Sequence, residues 1–154
     1  MVKEKPESVQ IAQNRKARFE YEILESFEAG IVLSGSEVKS LRSGKASIND
    51  AHAGEMGGAI WLFNMHIAEY TQAGSRGHTP TQPRKLLLHA KEIKRLIGVT
   101  KEKGLTLVPL GAYFNKRGMV KIQLAIGKGK KLHDKRASIK DRDWKREQGR
   151  LLKK

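Results

Sequence analysis

Hydrophobic and polar residues alternate along several stretches of the chain, a pattern typical of β-strands that bury one face. The first such stretch places Phe19, Tyr21 and Ile23 on one side. The small residues within 28–30 then predict a tight connection, and the apolar residues 31–33 predict a second short strand. We therefore expect a β-hairpin near the start of the chain.

A second hairpin is predicted further along, where residues 46–52 and 59–66 flank the turn-rich residues 54–58. In its second arm, Trp61 and Phe63 occupy alternate positions. An aromatic row of this kind belongs more often to a hydrophobic core than to a surface on which nucleobases stack. We expect the aromatic side of this arm to face the core.

Two short helices are predicted between the strands. Ser34 and Glu37 have the spacing of a capping box, and Gly44 suits the left-handed position that follows a helix, so a helix of two turns is expected between them. A hydrophobic stripe at helical spacing in residues 93–100 predicts a second helix, which ends at Gly104.

The last strands are predicted at residues 105–110, 111–115 and 119–126, with a turn at 116–118. About six strands with two or three short helices indicate a mainly β fold. The expected architecture is a small OB-like antiparallel β-barrel, with an α+β sandwich as the alternative. The expected division of the chain is a flexible leader at 1–13, the barrel at 14–127 and a basic tail at 128–154.

The net charge of the chain indicates that the expected barrel binds a polyanion. The chain of 154 residues carries a net charge of +15 at an isoelectric point near 10.2. Residues 128–154 contain twelve Lys/Arg and four Asp/Glu, which leaves +8 on the tail and +7 on the remainder. Both parts are basic, so nucleic acid is the leading class of partner.

The tail has too few large apolar residues in its first half to offset its ordering entropy. In its second half Trp144, Gln148, Leu151 and Leu152 recur at helical spacing. We expect a segment that is disordered when free and helical on an anionic partner. A solvated terminus without a role is the alternative.

Signatures of catalysis are missing from the sequence. There is no cysteine, no phosphate-binding G-x-x-x-x-G-K-[ST] loop and no pair of histidines at metal-ligand spacing. No apolar run approaches the length of a membrane span. We expect a cytoplasmic, monomeric protein that is not an enzyme, needs no cofactor or metal and has no membrane partner.

Four ordered motifs, at residues 14–17, 30–42, 83–89 and 127–136, resemble the bacterial SsrA-binding protein (SmpB) family. The resemblance implies an OB-like barrel that binds the tRNA-like domain of transfer-messenger RNA (tmRNA). It also implies delivery of that RNA to ribosomes stalled on messages without a stop codon, the rescue process called trans-translation. The tail would become helical in the empty message channel and stand in for codon and anticodon.

The resemblance assigns roles to individual residues. The implied RNA-binding residues are Asn14, Arg15, Lys16, Glu28, Glu37, Lys39, Arg42, Arg84, Lys85, Leu87, Lys121, Lys128, Lys130 and Lys131. The implied contacts with the decoding centre and message channel of the small ribosomal subunit are Gly129, His133, Asp134, Lys135, Arg136 and Trp144.

Some alternatives stay open. Glu37 fits the capping box at least as well as an RNA contact, and Leu87 fits the core better unless its side chain emerges beside the RNA. Thr79 and Gln82 stand where the family usually has Asp and Arg, so the usual pairing within this loop is in question. His52 replaces a more usual aromatic residue. A general OB-type or ribosome-associated RNA-binding protein without a rescue role is the alternative function, and a structural ribosomal protein is a third.

Overall fold

The computed structural model describes residues 8–72 and 77–130 of the chain. The strands are β1 (Val9–Gln13), β2 (Tyr21–Ile31), β3 (Ala46–Ser47), β4 (His52–Met56), β5 (Ala59–Phe63), β6 (His66–Ile67), β7 (Arg84–Leu87), β8 (Leu105–Phe114) and β9 (Val120–Gly129). The helices are α1 (Ala17–Glu20), α2 (Gly35–Arg42) and α3 (Ala90–Lys101).

Six strands close into a ring. Neighbouring strands pair in the order β8-β4-β5-β7-β2-β9, β9 pairs again with β8, and every pairing is antiparallel. Strand β1 joins β8 from outside the ring, and β3 and β6 form a separate two-stranded sheet. Closure removes the exposed edges that an open sheet would present. The prediction of a mainly β, OB-like barrel is confirmed.

The hairpin predicted near the start of the chain is absent, because β2 is one strand of 11 residues. Ala29 lies inside this strand and is completely buried. Gly30 pairs with Leu87 of β7 on one side and with Lys121 of β9 on the other. A Cβ atom at Gly30 would lie 3.2 Å from the Cβ of Leu87. The small residues therefore permit close strand packing rather than a turn.

The second hairpin forms with a different register. Strand β4 begins at His52, and the reversal occurs at Gly57 and Gly58, whose φ angles are +60° and +79°. Gly54, expected in the turn, lies within β4. The first arm starts later than predicted because residues 46–47 form β3, which pairs with β6 in the separate sheet.

The aromatic row of this hairpin faces outward, so the prediction that it faces the core is wrong. Ile60 and Leu62 are completely buried, whereas Trp61 and Phe63 are only partly buried. The ring of Phe63 stacks on His52 of β4, with 5.4 Å between the ring centres. The barrel interior is filled by aliphatic side chains, which leaves the larger rings on the outside.

The C-terminal half follows the prediction in outline. Strand β8 is continuous, with an irregularity in its register between Pro109 and Gly111, where two strands had been predicted. The predicted turn is confirmed, with Gly118 at a φ of +76°. Helix α3 runs through Gly98 without a break and places Leu96 and Val99 in the core of the barrel.

The barrel extends beyond both predicted boundaries. Strand β1 occupies residues that were expected to belong to a flexible leader, and it is held by pairing with β8. Strand β9 runs to Gly129, so Lys128 and Gly129 belong to the barrel rather than to the tail. The backbone N–H of Lys130 still donates to the carbonyl of Glu20. In the described part of the chain, no helix has the length and apolar character needed to cross a membrane.

Candidate RNA interface

Helix α2 has the predicted capping box, and the same glutamate also forms a buried ion pair. The Ser34 N–H donates to Glu37 Oε1 at 2.9 Å, and the Glu37 N–H donates to Ser34 Oγ at 3.4 Å. The other carboxylate oxygen of Glu37 accepts from Arg84 Nε. Both side chains are at most 2% exposed. The prediction that Glu37 and Arg84 face RNA is therefore wrong, because both charges are used inside the protein.

Arg84 also fastens the loop before β7. Its Nη1 donates to the carbonyl of Met65 at 2.6 Å, and its Nη2 donates to the carbonyl of Pro80 at 3.0 Å. The guanidinium thus joins helix α2, the end of the β4–β5 hairpin and the loop. A buried charge is tolerated when its hydrogen-bonding capacity is satisfied in this way.

The unusual residues of this loop supply a pairing of their own. Gln82 Oε1 accepts from the backbone N–H of Thr79 at 3.2 Å, and Gln82 Nε2 donates to Glu37 Oε1 at 3.3 Å. Buried His78 lies between Ser36 Oγ and the carbonyl of Ile67, each 2.9 Å from a ring nitrogen. The loop is therefore attached to α2 without the acid and the cation that the family usually has there.

Asn14 is a second predicted RNA contact that the structure places inside the protein. It is 8% exposed, its Nδ2 donates to the carbonyl of Pro109 at 3.1 Å, and its backbone N–H donates to Leu110 at 2.8 Å. These bonds fasten the start of α1 to β8. The prediction that Asn14 faces RNA is wrong for this reason, while the adjacent Arg15 and Lys16 are exposed.

Three other predicted residues converge on the outside of the barrel. Glu28 lies two residues before Gly30 on β2, and Gly30 is the residue that pairs with both Leu87 and Lys121. Successive side chains alternate between the faces of a strand, so Glu28 and Gly30 share the outer face. Glu28, Gly30, Leu87 and Lys121 line a cleft of about 490 Å³, which we call the Leu87 cleft.

Leu87 is 52% exposed, so the interpretation of Leu87 as a core residue is wrong. Strand β7 alternates between buried Arg84 and Leu86 and exposed Lys85 and Leu87. Lys85 therefore lies on the same outer face as Leu87, opposite Trp61 of β5. A run of three leucines could not reveal this from sequence, because such a run does not show which position begins the inward face.

Tyr113 is a residue of this region that sequence reasoning missed. It lies on β8 opposite Lys121, and its hydroxyl donates to Glu28 Oε2 at 2.5 Å. Burial raises the pKa of the Tyr113 phenol well above its ordinary value, and the hydrogen bond and the negative charge of Glu28 add to this effect. In a hairpin, residues equally far from the centre of the turn lie opposite each other. The predicted turn at 116–118 could therefore have placed Tyr113 opposite Lys121.

The remaining cations are distributed over other surfaces. Lys39 lies over the ring of Tyr70 on the α2 side, 5.2 Å from the ring centre, and Arg42 is exposed on the same helix. Lys128 and Lys130 lie at the far end of β9, where Lys130 Nζ donates to the carbonyl of Arg18 at 3.2 Å.

The last predicted residues lie outside the described part of the chain. These are Lys131, His133, Asp134, Lys135, Arg136 and Trp144. Gly129, the first residue predicted to contact the decoding centre, pairs with Tyr21 at the end of β9.

Residues 8–72 and 77–130 contain no group of three or more His, Asp or Glu side chains that could hold a metal ion.

A closed OB-like barrel with exposed cations around a small outer cleft is an architecture that many RNA-binding modules share. The family model described as SmpB protein matches residues 11–154. The chain belongs to the SmpB protein family, which consists of RNA-binding proteins and not enzymes.

Curated relatives agree with this assignment. The chain is 61% identical over 143 residues to the SsrA-binding protein of Rickettsia bellii (strain OSU 85-389), covering 93% of this chain and 95% of that one. It is 62% identical over 143 residues to the SsrA-binding protein of Wolbachia pipientis subsp. Culex pipiens (strain wPip), covering 93% and 96%.

A solved structure is similar as well. It is described as "tmRNA-SmpB: a journey to the center of the bacterial ribosome", and the matched chain has a TM-score of 0.65 and 49% identity. The match covers 78% of this chain and 84% of that chain.

Proposed function

We propose that this protein binds tmRNA and accompanies it to stalled ribosomes in trans-translation. Membership of the SmpB family and the names of the relatives support the choice of RNA. The observation that carries the proposal is the convergence of Glu28, Leu87 and Lys121 on one outer cleft. These residues lie on three different strands, and the register at Gly30 brings them together.

The side chains of the Leu87 cleft have complementary uses toward folded RNA. Lys121 and the neighbouring Lys85 can neutralise phosphates, which supplies affinity. Leu87 offers an exposed apolar contact for the face of a base or a ribose. The Glu28 carboxylate repels phosphate, so it accepts hydrogen bonds from a base or a 2′-hydroxyl. We propose that Lys39, Arg42, Arg15 and Lys16 add phosphate contacts at the margins.

The barrel separates this cleft from the root of the tail. Lys121 and Gly129 stand at opposite ends of the β2–β9 ladder, where they pair with Gly30 and Tyr21. Eight residues of strand span roughly 26 Å. The residues proposed to hold tmRNA and the last residues of β9 therefore lie at opposite ends of this ladder.

We propose that this tail probes the ribosome. Gly129 and His133 would contact the decoding centre, and Asp134, Lys135, Arg136 and Trp144 would occupy the empty message channel. Lys128, Lys130 and Lys131 would add phosphate contacts at the root. Message RNA already in the channel would exclude the tail, which makes the tail a sensor of its absence. A ribosomal partner also implies a cytoplasmic location, and we propose that the protein acts as a monomer.

A competition assay at fixed salt tests the proposal. Full-length protein and a variant ending at Lys130, which keeps all of β9, are titrated onto tmRNA in an excess of ordinary tRNA. We expect both to retain tight binding that tRNA does not compete, while only the full-length protein supports peptide tagging on stalled ribosomes. Equal competition by ordinary tRNA would reduce the protein to a general RNA binder, and tagging by the truncated protein would remove the role of the tail.

A further inference from the structure

A broad open depression lies beside the Leu87 cleft and shares Glu28 and Lys121 with it. Its volume is about 1040 Å³, and it crosses the outer face of strands β1, β8, β9 and β2. Gly111 contributes no side chain to its floor, and Glu28 and Tyr113 form a bonded pair across it. We call this depression the Tyr113 trough.

Cations stand at one end of the Tyr113 trough. Lys116 and Arg117 lie on the β8–β9 turn, both are exposed, and Lys121 follows at the start of β9. The turn is firmly built, because Asn115 Oδ1 accepts from the backbone N–H groups of Arg117 at 3.0 Å and Met119 at 2.9 Å. These charges are therefore presented on a defined backbone rather than on a loose loop. Their chemistry suits a phosphate.

The centre of the Tyr113 trough disfavours a phosphate and favours hydrogen-bond donors. The Glu28 carboxylate would repel a phosphate, so a ligand that reaches it must present hydrogen-bond donors. The Tyr113 hydroxyl donates to Glu28 Oε2, and no other hydrogen-bond partner of the Glu28 side chain is found among the described residues. The carboxylate is thus oriented by one donor and keeps Oε1 for another. Gln123 of β9 also lines the trough and adds an amide that can donate and accept.

A nucleotide fits this arrangement, because it has a phosphate at one end and amino donors on its base. We propose that the Tyr113 trough binds an unpaired nucleotide of tmRNA, with Glu28 accepting from the amino group of its base and Lys116 and Arg117 contacting its phosphate. Tyr113 is a positioning residue that acts through Glu28. The proposal rests on the proposed function, because it takes tmRNA as the source of the nucleotide.

The role of Tyr113 is tested with full-length Tyr113→Phe, Glu28→Gln and the double variant, titrated onto tmRNA. Loss of a hydrogen bond to a charged group predicts roughly tenfold weaker binding for Tyr113→Phe. If Tyr113 acts through Glu28, the double variant binds no more weakly than Glu28→Gln alone. Tyr70→Phe is the matched control, because its hydroxyl bonds Gln72 on another surface.

The base contact is tested with tmRNA transcripts in which inosine replaces some guanosines and purine riboside replaces some adenosines, since both analogues lack the exocyclic amino group. Wild-type protein should reject the analogue at a specific position of the RNA, and Glu28→Ala, which has no side-chain acceptor, should lose that discrimination. If no position interferes, or if interference persists in Glu28→Ala, the contact with a purine amino group is wrong.

Controls separate the possible failures. If Tyr113→Phe unfolds, the double variant Lys116→Ala/Arg117→Ala tests the proposal instead, because both residues lie on an exposed turn. Unchanged tmRNA binding by that double variant would overturn the proposal. Wild-type affinity for Tyr113→Phe would also overturn it, leaving the proposed function intact. If the wild-type protein itself prefers ordinary tRNA, the proposed function has failed instead.

Discussion

Arg84 donates its Nε–H to the carboxylate of Glu37 across 47 residues of sequence, and neither side chain is more than 2% exposed. The pair joins the first turn of α2 to the first residue of β7. Leu87, exposed in the cleft, is the last residue of that same short strand. The buried pair thus anchors the strand that presents Leu87 in the proposed RNA-binding cleft.

Glu37→Ala should destabilise the protein by about 3–5 kcal/mol, because it leaves the guanidinium of Arg84 buried without its partner. Denaturant unfolding followed by circular dichroism measures this change. Glu22→Ala is the matched control, since it removes an exposed carboxylate with no side-chain hydrogen bond or ion pair to the described residues and should change the free energy of unfolding by no more than about 0.5 kcal/mol. Equal stabilities of the two variants would contradict a structural role for the pair.

Leu87→Ala should weaken tmRNA binding while leaving stability nearly unchanged, because Leu87 is 52% exposed. Leu86, its neighbour, is 1% exposed and lies in the core. Leu86→Ala should therefore cost about 2–5 kcal/mol of stability. Thermal unfolding and RNA titration of both variants separate the two roles. Normal binding by folded Leu87→Ala would exclude this side chain from the interface.

Gly30→Ala tests whether close packing shapes the Leu87 cleft. The new methyl group would lie 3.2 Å from the Cβ of Leu87, so Leu87 must shift. We expect weaker tmRNA binding and a loss of about 1–3 kcal/mol in stability, as overpacking usually produces. Gly98→Ala is the control, because its Cβ would meet nothing within 4 Å and it lies inside α3. It should gain about 0.5–1 kcal/mol. Unchanged binding and stability in Gly30→Ala would show that the site tolerates the contact.

Local signals predicted the features that depend on a few consecutive residues. The capping box of Ser34 and Glu37 is present, and Gly44 and Gly118 have the positive φ angles expected of them. Each of these features is stabilised by hydrogen bonds or backbone geometry within a few residues, so the sequence carries the necessary information.

Features set by distant strands could not be predicted in the same way. Gly30 resembles a turn residue, but its role depends on Leu87 and Lys121, which lie far away in sequence. Glu37 and Arg84 have the charge of RNA-binding residues, and only the fold shows that each satisfies the other. Likewise, alternation in β5 showed two faces but not that the aliphatic face is the inner one.

Burial of the Tyr113 phenol, together with its bond to Glu28, predicts a stability loss at high pH. The folded protein holds the pKa of Tyr113 above its ordinary value near 10, so the unfolded chain releases this proton first. The contribution of the neutral phenol is therefore complete below about pH 10 and is lost as the pH rises toward the folded pKa. Tyr113→Phe lacks this pH-dependent contribution, so the difference in unfolding free energy between wild type and variant should shrink above pH 10.

Denaturant unfolding of both proteins between pH 8 and 11 measures this difference. Subtracting the two free energies cancels the effect of the lysines that titrate in the same range. Ultraviolet titration should also show one late-ionising tyrosine in wild type that is missing in Tyr113→Phe. A constant difference in free energy across this range would show that neither burial nor the bond to Glu28 raises the pKa of Tyr113 in solution.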